Sequence, residues 1–346
     1  MLLPADSERR ASLSTHLESS RVIERPSDAP DLSSVFGWEG KRVGLLFNAS
    51  SGRSVARGMA ERLAILLDSL GAKVPAIRTH QSDFREQMRI ISEEAPDVVV
   101  AIGGDGTANA GATLASELDV PVLIVPAGTM NLLARDLDIP IDFSELIDRV
   151  VRCVERRVDM GEVNGRPFLH SSVVGAVPEL ARVRESMREA ASVGQWLHRA
   201  TRYLRIALAD HEYSVDLDSE RGHASRVCQS VIVTCNELAD AGFLEYRRER
   251  LDAGRLGVYV AAHRGPLARA RALLSLMRGK LRHDREVASA SCERLSVDTR
   301  RRSMLVSNDG EVLRLRTPLE YGIKRKALRA LVPVGGQVPV EASGDS

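Results

Sequence analysis

The sequence predicts an α/β first half built on a parallel sheet and a mainly β second half, with an active site in the cleft between them. Three observations carry this. From Lys41 onward, short apolar runs alternate with stretches of helical periodicity. Three strand ends run into glycine-bearing turns: NASSG (48–52), GGDGT (103–107) and PAGT (126–129). The second half reads as many short strands with two or three helices.

Each element follows from its residues. RVGLLF (42–47) is an apolar run of strand length. In residues 54–70, Val55, Met59, Leu63, Leu66 and Leu70 recur near helical spacing, and Gly71 stops the helix. KVPAIR (73–78) reads as a strand whose proline suits an edge or a late start. Asp83 and Glu86 have capping-box spacing at the start of a helix over 82–94. DVVVAI after Pro96 is apolar on both faces, as a central parallel strand should be, and VPVLIV (120–125) is another. Strands alternating with helices require crossover connections, hence a parallel sheet with its ligands beyond the carboxyl ends of the strands. Later strands are read at SVDLD (214–218), CQSVIVTCN (228–236) and LGVYVA (256–261).

Composition narrows the class. The 346 residues are 44% hydrophobic and 27% charged, as in an ordinary soluble protein, and a formal net charge of +1 speaks against a nucleic-acid partner. Cys153, Cys228, Cys235 and Cys292 form no CxxC pair and suit reduced thiols. No apolar run reaches the roughly 18–20 residues of a membrane span. The expected organisation is a disordered leader over 1–38, an α/β domain over 39–156, a mainly β domain over 157–335 and a flexible tail over 336–346. The N-terminal stretch lacks a signal-peptide core, so the expected location is cytoplasmic.

The turns carry the chemistry. Glycines let backbone N–H groups approach a ligand, and a following helix N-terminus favours anions. Glycines after strands also make plain tight turns; three such turns on one sheet edge favour phosphate binding. Thr79 would add a hydroxyl at the same edge. There is no GxxxxGK[ST] run, and GDGTAN puts Asn109 where a dinucleotide fingerprint needs its third glycine. An aspartate between glycines would repel bare phosphates. It makes sense with Mg²⁺ between them, or if Asp105 takes a proton from an attacking hydroxyl.

GGDGT after an apolar strand, with NxxSG upstream and PAGTMN downstream, resembles the diacylglycerol kinase catalytic domain family, which includes bacterial lipid kinases and sphingosine and ceramide kinases. Residues 158–176, 251–261 and 307–333 resemble later segments of that family, in family order. GGDGT alone is shared with NAD kinases. The resemblance implies a lipid kinase using ATP and Mg²⁺, with an NAD kinase/diacylglycerol kinase-like first domain. It assigns Asn48, Ala49, Ser50, Ser51, Gly52, Thr79, Gly103, Gly104, Asp105, Gly106, Thr107, Asn109, Ala110, Gly128, Thr129 and Asn131 to the nucleotide pocket. Asp105 would act near the phosphates and the ATP-bound Mg²⁺. Glu311 matches the family's general base, and Asp309 its partner carboxylate. Asn-Asp-Gly is also a common hairpin turn, in which Glu311 would be merely solvated.

Several positions depart from the family pattern. Ala49 replaces a proline and Ala110 a glutamate, and Leu132-Leu133 replace Asp-Phe. Ala253 replaces an aspartate that helps hold a second, structural Mg²⁺ in bacterial members, with Asp252 as the neighbouring substitute. The implied partners are ATP and a membrane lipid, diacylglycerol-like first, met by transient peripheral contact at the inner face of the membrane. The alternatives are an NAD kinase-like enzyme, on the Asn236-Glu237 pair, and a nucleotide- or lipid-binding regulator without turnover. Two amphipathic stretches, 192–211 and 265–283, read as domain helices; the second carries a basic face that would also suit an anionic membrane. The acyl chain, head group and oligomeric state are not legible.

Overall fold

Val98–Gly103, the β-branched run ahead of GGDGT, is the middle strand (β3) of a parallel trio with β2 (Val43–Phe47) and β4 (Val122–Pro126). All three are buried along their whole length, which is why they read as continuous apolar runs. The structure is a computed structural model and describes residues 35–47, 53–74, 84–175, 178, 212–239, 247–262 and 287–334. Helices α1 (Arg53–Ser69), α2 (Phe84–Glu94) and α3 (Asp105–Glu117) connect and cover the trio. Gly71, at φ +82°, ends the turn after α1 as its position predicts. The expected strand at 73–78 is described only at Lys73 and Val74, and Lys73 bridges Arg42 in parallel; residues 75–80 lie outside the described residues. So do the amphipathic stretches 192–211 and 265–283.

After β4 come two short helices, α4 (Leu132–Asp136) and α5 (Phe143–Val150), and then the eleven-residue strand β5 (Cys153–Val163). The boundary expected at 156/157 falls inside β5. Its partner is β16 (Leu319–Pro333), the last strand described, which pairs antiparallel with β5 on one edge. The other edge of β16 pairs with β13 (Arg294–Thr299) and then, in parallel, with β4. A ten-stranded sheet results among the described residues, in the order β2-β3-β4-β16-β13-β8-β9, with β8 (Tyr213–Ser219) and β9 (Gly222–Cys228) at its far end. The remaining strands of this sheet, β1 (Val35–Phe36) and β6 (Arg166–Phe168), pair with β5.

A six-stranded antiparallel sheet packs against this sheet's second half. Its order is β12 (Val287–Cys292), β11 (Leu256–Ala261), β10 (Ser230–Cys235), β7 (Ser171–Gly175), β14 (Ser303–Asn308) and β15 (Glu311–Arg316). The second core fills the space between the two layers: Val231, Val233 and Val306 from the small sheet face Leu295, Val297 and Tyr321 from the large one. The single strand read at 228–236 is therefore two strands in two sheets, broken at Gln229. There Gly175, at φ +112°, admits the Gln229 carbonyl, which would lie 2.2 Å from a Cβ.

Residues 35–38, read from the sequence as part of the leader, are built into the fold. Val35–Phe36 pairs with Val154 and Cys153, and Trp38 is buried with its indole N–H donating to Val150 O at 2.9 Å. Phe36 and Trp38 meet edge to face at 5.0 Å, so two aromatics in a polar stretch suffice to tie it down.

The β5–β16 seam carries a pH-sensitive tie. Arg329 Nε and Nη2 donate to the Glu155 carboxylate at 2.9 and 2.8 Å, and this guanidinium holds its pKa below the ordinary carboxylate value of 4.5. A lowered folded pKa means stability present above the unfolded value and lost as pH falls through the folded one. Thermal melts should show Glu155→Gln less stable than the parent near neutrality, with the difference vanishing between about pH 5 and pH 3.

Candidate active site

The GGDGT turn and the PAGTMN turn are built against each other. Gly103 closes β3, and a Cβ on it would lie 2.5 Å from Thr107 Oγ1, so only glycine lets that threonine fold back over the strand end. Thr107 is buried in this position. Gly104 and Gly128 touch backbone to backbone: a Cβ on Gly128 would lie 2.5 Å from Gly104 Cα. Ala127 N–H donates to Gly103 O at 2.8 Å, and residues 127–130 stand exposed at the rim. Replacing Gly128 with alanine should destabilise the protein by about 1–3 kcal/mol, as read by thermal melts. Gly106→Ala, whose Cβ meets nothing within 4 Å, should leave the melting temperature unchanged.

Asp105 joins the two turns. Its Oδ2 accepts from Asn131 N at 3.1 Å and its Oδ1 from Leu132 N at 2.6 Å, at the start of α4. Both carboxylate oxygens thus already hold backbone donors, and the residue acts as a brace between loops. Asn131, buried at φ +51°, curls back on Gly128, accepting from its N–H at 3.0 Å and donating to its carbonyl at 2.8 Å. Among the described residues the site offers outward the backbone of these turns and the exposed Thr129. Gly104 is the N-cap of α3 and makes no side-chain cap; the Thr107 N–H turns back to Gly104 O at 3.0 Å, which leaves the N–H groups of Asp105 and Gly106 to an anion. Asn109 Oδ1 is buried without a partner, and Ala110 is half-buried behind it. Asn48, Ala49, Ser50, Ser51, Gly52 and Thr79 lie outside the described residues.

The second constellation lies on the β14–β15 hairpin. Asp309 and Gly310 form its two-residue turn with φ +46° and +91°, the pattern of a type I′ turn. Asp309 is more than a turn residue. Its Oδ2 accepts from Leu169 N at 2.6 Å, and its Oδ1 from His170 N at 2.9 Å and Ser171 N at 2.8 Å. Three consecutive N–H groups converging on one carboxylate make an anion nest. The sequence reading made Asp309 a partner carboxylate of Glu311; in the fold both its oxygens also accept from the backbone of residues 169–171. Glu311, the next residue after the turn, is exposed, and its side chain takes no hydrogen bond or ion pair among the described residues.

Two buried carboxylates escaped the sequence reading. Asp136, the last residue of α4, pairs with Arg248 Nε at 2.8 Å, with side chains 1% and 0% exposed. Burial works against the Arg248 charge, but Asp136, Cys235 and Asp309 together outweigh it, so the guanidinium pKa is raised. An acid at a helix C-terminus opposes the dipole, which is a signal that it has a partner. Arg248 sits in the charge run RRERLD, which reads as solvated. Asp159, fully buried, accepts from Gly254 N and Lys326 N at 2.7 Å each. Asp252, next to Ala253, pairs with Arg250 at 3.0 Å. Among the described residues no group of three or more His, Cys, Asp or Glu could hold a metal ion. The four cysteines are free and buried, and burial pushes the thiols of Cys153 and Cys235 up to about 12. No helix among the described residues is long and apolar enough to cross a membrane.

Residues 42–163 match the family model described as the diacylglycerol kinase catalytic domain. The resemblance read from the motifs is thereby shown for this segment. A diacylglycerol kinase of Bacillus subtilis is 33% identical over 147 residues, 40% of this chain and 48% of the relative. One from Staphylococcus saprophyticus is 30% identical over 144 residues, 41% of this chain and 47% of the relative. The chain spans about half the length of the curated relatives it matches. A solved structure described as a diacylglycerol kinase of Bacillus anthracis strain Sterne superposes with a TM-score of 0.60 at 16% identity, covering 84% of this chain and 97% of that one. That likeness speaks to the fold, an N-terminal mixed sheet with helices and a mainly β remainder.

Proposed function

We propose that this chain is an ATP-dependent lipid kinase, transferring the γ-phosphoryl group to a hydroxyl of a membrane lipid, with a diacylglycerol-like acceptor as first choice. One observation carries the reading. A single compact unit holds both a glycine-lined helix N-terminus without a side-chain cap and, on a pinned turn, the Glu311 carboxylate, which has no partner among the described residues. The first suits phosphates and the second suits a hydroxyl proton. The match of residues 42–163 to a diacylglycerol kinase catalytic domain supports the same chemistry.

ATP, accompanied by a divalent cation, supplies the phosphoryl group. In this reading the glycine turns and the start of α3 receive the phosphates through backbone N–H groups. Asp105 keeps the two turns together, and Glu311 accepts the proton of the attacking hydroxyl. Residues 39–156 take the nucleotide and residues 157–335 the lipid. A cytoplasmic protein that meets the inner face of a membrane by transient peripheral contact fits this division of labour. Nothing comparable supports an NAD kinase: Asn236, half of the pair that suggests one, has no exposed surface to offer a dinucleotide.

Labelled γ-phosphate transfer from ATP to a total lipid extract in mixed micelles tests the proposal. NAD runs in parallel, with Asp105→Ala and Glu311→Gln as controls. The expected result is one labelled lipid, lost in both variants. Label on NAD moves the protein to the other kinase class. ATP binding with no label on any acceptor makes it a regulator.

A further inference from the structure

The nucleotide turns and the Glu311 hairpin are far apart in sequence, and an unbroken run of hydrogen bonds joins them. Asp105 holds the first N–H groups of α4. At the other end of that five-residue helix, Asp136 Oδ1 accepts from Arg248 N at 3.1 Å and Oδ2 from Nε at 2.8 Å. Arg248 Nη1 donates onward to Leu169 O at 2.6 Å and Cys235 O at 3.2 Å. Leu169 N, with the next two N–H groups, holds Asp309, which precedes Gly310 and Glu311. Arg247 adds a second grip on the same helix end, donating to Arg135 O at 2.5 Å and pairing with Asp138.

We infer that Asp136 and Arg248 are positioning residues that hold the Glu311 hairpin in register with the nucleotide turns. The inference rests on the kinase reading above. For stability alone, a well-packed apolar pair would serve as well as a buried ion pair. An apolar pair makes no directed bond to Leu169 O or Cys235 O, whereas the Arg248 fork, held by Asp136, sets where residues 169–171 stand relative to α4. Asp309 then carries that placement to the turn.

The test uses the full chain carrying Asp136→Leu together with Arg248→Met, so that neither charge is left buried alone. Kinetics with ATP and diacylglycerol in mixed micelles are read beside amide exchange of a peptide covering 167–173. In the folded double variant, kcat should fall about 100-fold while the KM for ATP stays within about threefold, and exchange at 169–171 should quicken. Arg248→Lys keeps the charge without the fork and should fall between the two; if the double variant does not fold, it is judged by the same readouts. Parental kcat in a folded variant overturns the inference. If the parent protein itself transfers no phosphate, the kinase reading fails on its own. Exchange then decides: quickened exchange supports the register role and unchanged exchange overturns it.

Discussion

Glu311→Gln is expected to lower kcat for lipid phosphorylation by about 10²–10⁴-fold, the range for removing a positioned general base. ATP affinity and melting temperature should stay at parental values. The reason is local. The Glu311 side chain is exposed and has no protein partner among the described residues, so its loss breaks no bond in the fold. Glutamine keeps its size and a carbonyl oxygen, and loses the ability to take a proton near neutral pH. Steady-state kinetics, calorimetric titration with ATP and a thermal melt separate the effects. A variant that keeps its kcat places the base elsewhere; one that loses ATP binding makes Glu311 part of the nucleotide pocket.

Asp309→Asn, two residues away, should behave differently. Asparagine tolerates the left-handed conformation at φ +46°, so the turn itself survives. The bond pattern does not. Where Oδ2 accepts from Leu169 N at 2.6 Å, an amide NH₂ would set donor against donor, and the two bonds at Oδ1 would lose their charge. The expected cost is about 2–3 kcal/mol, read as a lower denaturant midpoint. Catalysis should fall with it, because Glu311 follows the turn that Asp309 anchors. Full stability in Asp309→Asn would mean that the nest does not hold the hairpin; full stability with slow turnover would restore Asp309 as a reacting carboxylate.

The contrast marks what was legible beforehand. The β3 strand, its GGDGT turn and the helix behind it were readable because the cues lie within a dozen residues: a run apolar on both faces, then glycines, then helical spacing. The Asn-Asp-Gly hairpin was readable for the same reason, since two positive φ angles need those residue types. Strand β16 was not. It changes neighbours along its length, from β13 to β4, with a bulge between Lys324 and Leu328, and no periodicity in a single strand encodes which strands flank it.

The sequence by itself determined which residue types stand at the site, and in what order: glycines that open the backbone, Asp105, Asp309 and Glu311. Only the tertiary structure decided what the carboxylates do. Asp105 meets backbone N–H groups 26 and 27 residues away, Asp309 meets three that are 138 to 140 away, and Asp136 meets an arginine 112 away. Local pattern reports a residue's own conformation and the face it occupies. A carboxylate's role depends on which distant donor the packed sheets bring within 3 Å, and that distance exists only once the chain has folded.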